Sequence, residues 1–80
     1  MTDDLKNERI VIGIRQSMKA IVSGEVKYLI VAQDAETKVL DGILTEASNR
    51  NIELKNAPSM ISLGKTAGID VGSAVIAVLN

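Results

Sequence analysis

Gly13-Ile14-Arg15-Gln16-Ser17-Met18-Lys19-Ala20-Ile21-Val22-Ser23-Gly24 has a glycine at each end and a helical pattern between them. Ile14, Met18, Ile21 and Val22 recur at i, i+4, i+7 and i+8, the spacing of one face of an α-helix. Arg15, Gln16 and Lys19 gather on another face, and no acidic residue interrupts the stretch. Ile10-Val11-Ile12 leads directly into Gly13 and reads as a short strand. A strand therefore passes through a glycine into a helix whose first turn carries Arg and Gln. That turn has unpaired backbone N–H groups and the positive end of the helix dipole, an arrangement suited to phosphates and nucleic-acid edges.

Outward from this unit the alternation continues. Thr2 or Asp3 caps a short helix to about Glu8, and Gly24 takes the position of a helix-ending C′ glycine. Lys27 to Gln33 contains Tyr28-Leu29-Ile30-Val31-Ala32, a continuous apolar run that reads as a central strand buried on both faces. Asp34 follows at its carboxyl end. Ala35-Glu36-Thr37 opens a helix to about Asn49, with Val39, Leu40, Ile43, Leu44 and Ala47 as its apolar stripe. Asn51 turns the chain into Ile52-Glu53-Leu54-Lys55, an alternating, half-exposed strand. Pro58-Ser59 begins a helix through Ala67, with Met60 or Ile61, Leu63 and Ala67 on its apolar side and Gly68 at its end. Ile69 to Ser73 is a loop, and Ala74 to Leu79 is a last, wholly apolar and central strand. An α-β-α-β-α-β-α-β order predicts a sheet with helices on both faces.

Eighty residues, 46% of them apolar, suffice for one domain over 1–80 with a modest core. Tyr28 is the only aromatic residue, so base stacking on aromatic platforms is largely closed to the chain. A net charge of −1 counts against non-specific nucleic-acid binding, while leaving room for a compact cluster of donors. There is no cysteine and no histidine. Disulfides, thiolate sites, histidine ligation and a His-based triad are thereby excluded. The start Met1-Thr2-Asp3-Asp4 lacks the pattern of a signal peptide, and the longest apolar run, Ala74 to Leu79, is too short to span a membrane. A cytoplasmic domain without a metal or cofactor is expected.

Four constellations carry the functional reading. Arg15, Gln16 and Lys19 are either a solvated helix face or a recognition face; Arg pairs bidentately with guanine, Gln with adenine or a sugar, and Lys reaches O6, N7 or phosphate. Gly64-Lys65-Thr66 resembles the end of a phosphate loop, but Ser59 stands where the motif needs its first glycine, and the triplet falls within a helix. Close packing of that helix on the sheet explains Gly64 better. Asp34 and Glu36 stand at a strand's carboxyl end, where open α/β sheets hold ligands; no second acid or lysine completes a catalytic pair, and a helix cap explains Asp34 equally well. The apolar residues of Ile69 to Ser73 are either tucked into the core or form a rim around a binding face.

Taken in order, Gly13-x-Arg15-Gln16-x-x-Lys19, then Ala32-Gln33-Asp34-Ala35-Glu36, then Leu63-Gly64-Lys65-x-x-Gly68-Ile69-Asp70-Val71-Gly72 before an apolar strand resemble a known family. This is the kink-turn-binding ribosomal protein superfamily, the "L seven Ae" and "L thirty e" group, and within it the small bacterial ribosome-associated branch. The resemblance covers about residues 5 to 79. It implies an α/β fold, a three-layer α/β/α sandwich around a mixed four-stranded sheet. It also implies a non-catalytic, monomeric protein whose partner is structured RNA rather than DNA or membrane. That RNA would be a duplex sharply bent at a bulge beside tandem sheared G·A pairs, in ribosomal RNA or a riboswitch. On this resemblance Gly13 permits close backbone approach and Ile14 stands at the helix start. Arg15, Gln16 and Lys19 contact the guanines and nearby backbone, Glu36 the bulged nucleotide, and Ile69, Asp70 and Val71 pack over the bulge. The chain departs from the family in having Arg15-Gln16 where many members have Asn-Glu, Met60 where Lys is common, and Ile14 where a small or hydroxyl residue is usual. A protein-interaction module in a ribonucleoprotein assembly, without direct RNA contact, is the alternative.

Overall fold

A computed structural model describes residues 8–80 of the chain; the helix expected from Thr2 or Asp3 to about Glu8 lies outside them except for Glu8, which is not helical. The elements are β1 (Ile10–Ile12), α1 (Ile14–Val22), β2 (Val26–Ala32), α2 (Thr37–Asn49), β3 (Glu53–Ala57), α3 (Met60–Ala67) and β4 (Val75–Leu79). They form one four-stranded sheet in the order β1-β4-β2-β3. β4 runs antiparallel to β1 and β2, whereas β2 and β3 are parallel. The apolar run Tyr28 to Ala32 of β2 and the wholly apolar β4 form the two central strands, as continuous apolar character leads one to expect.

Strand alternation divides the core into two layers. Leu29, Val31, Val75, Ala77 and Leu79 face one side and pack with Ala20 and Ile21 of α1 and Leu40, Ile43 and Ala47 of α2. Ile76 faces the other side with Leu63 of α3, and half-buried Ile10, Ile12 and Ile30 pack beside it. The result is a three-layer α/β/α sandwich with α1 and α2 on one face and α3 on the other. Every residue of β4 is buried.

The buried helix faces differ from the expected stripes by a small rotation. In α1 the most enclosed residues are Ser17, Ala20 and Ile21, while Val22 is 60% exposed. Ile14 and Met18 pack at the margin of the core. Small side chains at Ser17 and Ala20 let the helix backbone lie close to the sheet, which turns Val22 outward. Val39 of α2 is likewise half exposed, with Leu40, Ile43 and Ala47 enclosed. β3 is an edge strand, so Leu54 keeps 44% of its surface in solvent despite alternating with charged neighbours. Tyr28, next to this edge, is covered by Lys55, whose Nζ lies 4.3 Å from the ring centroid.

Topology gathers the helix starts at one end of the sheet. Because β1, β2 and β3 all point the same way and each is followed by a helix, α1, α2 and α3 all begin at one end of the sheet. β4, running the other way, begins at that same end.

Candidate nucleic-acid interface

At this end the sheet passes into α1 through Gly13. Its φ of +97° is a conformation open to glycine but not to ordinary L residues. The Gly13 N–H donates to the Val75 carbonyl at 3.0 Å, and its own carbonyl accepts from Ser17 N at 3.0 Å. No side chain caps α1, and no acid stands in its first turn. Its first N–H groups therefore remain open to a ligand. Arg15 and Gln16 are exposed in that turn, and Lys19 is exposed about one turn on. Among the described residues none of the three joins an ion pair; those pairs are Lys27 with Glu8 and Arg50 with Glu46.

The three helix starts are not equivalent. α3 is closed by its own chain: Ser59 Oγ accepts from Ser62 N at 3.0 Å, and Asp34 Oδ1 accepts from Met60 N at 2.8 Å. Asp34 had two readings, a ligand-binding acid or a helix cap. It is a cap, but of α3, 26 residues away, rather than of the helix that follows it. α2 resembles α1. Glu36 occupies the N-cap with extended backbone and an exposed side chain that makes no capping bond. Lys38, exposed in the first turn of α2, adds a cation at this end. Lys38 carries no signal in the sequence, because only the strand directions show that α1 and α2 start at the same end of the sheet.

The loop after α3 brings in the remaining elements. Gly68 ends the helix in a left-handed conformation, φ +82°, and Ile69 N donates to the Gly64 carbonyl at 3.0 Å. The chain then returns along α3 toward its start, where Ser73 N donates to the Met60 carbonyl at 3.0 Å. A Cβ on Gly64 would overlap the Val71 carbonyl. The missing side chain thus admits this loop, not the sheet as the sequence had suggested. Gly64 and Lys65 lie inside α3, so the triplet does not build a phosphate loop. Ile69 is half-buried, while Asp70 and Val71 are exposed, Val71 at 70%.

The sheet end accordingly carries Gly13, Ile14, Arg15, Gln16 and Glu36, with Lys19 a turn along α1. Ile69 closes the far, C-terminal end of α3, and Asp70 and Val71 lead back along the helix toward the sheet end, with the Val71 carbonyl against Gly64. Ile14 is half-buried at the core margin, so its backbone rather than its side chain faces outward. The cations and open N–H groups provide donors, and Val71 provides an apolar surface. Among the described residues no group of three or more acidic side chains could hold a metal ion. None of the described helices is long and apolar enough to cross a membrane.

Comparison with known proteins places this geometry in context. The sequence pattern of the Ribosomal protein L7Ae/L30e/S12e/Gadd45 family matches residues 2–80. The chain is 36% identical over 76 residues to RNA-binding protein YbxF of Geobacillus stearothermophilus, covering 95% of this chain and 93% of the relative. It is 41% identical over 68 residues to RNA-binding protein BH0128 of Halalkalibacterium halodurans, covering 85% and 83% of the two chains. A solved structure of a protein of unknown function from Bacillus halodurans superposes with a TM-score of 0.80 at 25% identity, covering 89% of this chain and 71% of that one. The fold is also that of a 15.5 kD RNA-binding protein from Giardia lamblia, with a TM-score of 0.84 at 18% identity, covering 99% of this chain and 65% of that one. The family pattern spans residues 2–80, and the relative at 36% identity is covered over 93% of its length: the chain belongs to the Ribosomal protein L7Ae/L30e/S12e/Gadd45 family.

Proposed function

We propose that this protein binds RNA without catalysing a reaction, and that its target is a kink-turn with tandem sheared G·A pairs beside a bulge. The observation that carries the proposal is the uncapped start of α1, with Arg15, Gln16 and Lys19 exposed and free of ion pairs among the described residues. Bacterial relatives named RNA-binding proteins support the RNA class of partner, and the family resemblance supports the kink-turn.

In this reading the α1 start enters the groove at the sheared pairs. Gly13 lets the backbone approach, and the open N–H groups with Arg15, Gln16 and Lys19 supply donors to guanine edges and phosphates. Glu36 meets the bulged nucleotide. Ile69, Asp70 and Val71 cover the bulge, with Val71 giving the apolar contact. The protein acts as a monomer in the cytoplasm, on ribosomal RNA or a regulatory RNA. With a net charge of −1, selection rests on RNA shape more than on bulk electrostatic attraction.

Titration of the protein into a kink-turn RNA, and into a copy whose G·A pairs are replaced by Watson–Crick pairs, tests this. Saturable binding to the first and much weaker binding to the second is expected. Equal affinity for both, or none for either, overturns the proposal.

A further inference from the structure

The two halves of the proposed interface are joined by a continuous run of hydrogen bonds. Asp34 Oδ1 accepts from Met60 N at 2.8 Å. The Met60 carbonyl accepts from Ser73 N at 3.0 Å. Ser73 Oγ donates to the Val75 carbonyl at 2.9 Å, and that carbonyl also accepts from Gly13 N at 3.0 Å. The run starts two residues before Glu36, crosses the α3 start, passes the end of the Ile69–Ser73 loop and finishes at the glycine from which α1 begins. Each proposed contact region thus stands next to a link in it.

We infer that Asp34 and Ser73 are positioning residues for the RNA interface: they touch no RNA but hold the α2 start, the Ile69–Ser73 loop and the α1 start in fixed relation. Three observations argue for this role. Asp34 projects from the β2–α2 connection and spends its carboxylate on a helix 26 residues away, and a charged acceptor makes one of the stronger backbone hydrogen bonds. Ser73 is buried at 6% exposure, and its hydroxyl goes to the one carbonyl that also receives the Gly13 N–H. Third, β2 and β4 are already joined along their length and Ala32 N reaches the Ala74 carbonyl at 2.9 Å, so the pair adds its links at the α3 start and the loop rather than within the sheet. The loop and the α1 start are separate segments that must meet one RNA together, and a small misplacement of one weakens the contacts of both.

The inference rests on the RNA-binding reading above, and its experiment separates the two. Asp34→Ala, Asp34→Asn, Ser73→Ala and Ser73→Thr are compared with the wild type for kink-turn RNA affinity, thermal unfolding and backbone amide NMR shifts without RNA. The asparagine and threonine variants keep the accepting oxygen and the donating hydroxyl. Asp34→Ala and Ser73→Ala are expected to lower affinity by roughly three- to thirtyfold, with Asp34→Asn and Ser73→Thr within about threefold of the wild type. In the RNA-free protein Asp34→Ala should shift the amide resonances of Ser73 and Gly13 while the remaining spectrum stays that of the folded chain. Wild-type affinity in Asp34→Ala or in Ser73→Ala, or unmoved Ser73 and Gly13 resonances in Asp34→Ala, overturns the inference. So does an affinity loss in Asp34→Asn equal to that in Asp34→Ala with the Ser73 and Gly13 resonances of the asparagine variant at their wild-type positions, which would place the carboxylate charge itself in contact with RNA. If the wild type binds no kink-turn RNA, the functional reading fails, and the positioning role toward RNA fails with it. Amide shifts then report only whether the link itself exists.

Discussion

At Gly13 the backbone takes φ +97° with nothing within 4 Å of where a Cβ would stand. The demand for glycine there is torsional, so Gly13→Ala should lower stability by about 1–2 kcal/mol, readable from denaturant unfolding. Two residues on, Arg15 presents a planar guanidinium with no described ion-pair partner to hold it. If it pairs with a guanine, Arg15→Ala weakens kink-turn binding by roughly 1–3 kcal/mol and leaves thermal stability nearly unchanged. Titration calorimetry beside a melting curve distinguishes that outcome from a general loss of structure. Arg15, Gln16 and Lys19 were legible in the sequence because an acid-free helix face in a slightly acidic chain is visible as a pattern. Lys38 was not, since only the strand directions put the starts of α2 and α1 at the same end of the sheet.

Among the helices, glycine has opposite meanings at two positions. Gly42 is exposed inside α2, and an added Cβ would meet only Met18 Cε at 3.9 Å. Gly42→Ala should therefore stabilise the protein by about 0.5–1 kcal/mol through helix propensity. Gly64 is also helical and gains the same propensity, but its Cβ would overlap the Val71 carbonyl. Gly64→Ala must push the Ile69–Ser73 loop away from α3, and a net loss of about 1–3 kcal/mol follows, as in overpacked sites generally. The two variants, compared by urea midpoints, should move in opposite directions. Gly64→Ala should also weaken RNA binding, since the loop carries Val71. Helix and strand types were readable from apolar spacing, and Ser59 and Gly68 mark α3 as caps usually do. Which face of α1 turns inward was not, because Ser17 and Ala20 are small: their burial follows from close approach to the sheet, not from hydrophobic bulk. Gly64 likewise gives the same signal whether it packs on a sheet or a loop.

Three helix starts stand at one end of the molecule because three like-directed strands each deliver one there, and those of α1 and α2 carry no side-chain cap. The αβ alternation, the apolar run Tyr28 to Ala32 in β2 and the wholly apolar β4 made a sandwich with two central strands legible from the sequence, and the family resemblance supplied its mixed sheet. The cap from Asp34 to α3, by contrast, joins residues that local pattern cannot connect. With a net charge of −1, only a few cations near the α1 and α2 starts neutralise phosphates. The slope of log affinity against log salt should then have a magnitude of about 1–3, well below that of proteins making many phosphate contacts. Lys19→Ala should reduce it by about one unit if that lysine meets a phosphate. The central claim is recognition of a bent RNA through the α1 start. It is tested most directly by equilibrium titration of the wild-type chain against a kink-turn RNA and its G·A-replaced counterpart at one salt concentration. Tight binding to the kink-turn with at least about a tenfold preference, equivalent to 1.4 kcal/mol, is predicted; indifference between the two RNAs, or binding to neither, contradicts it.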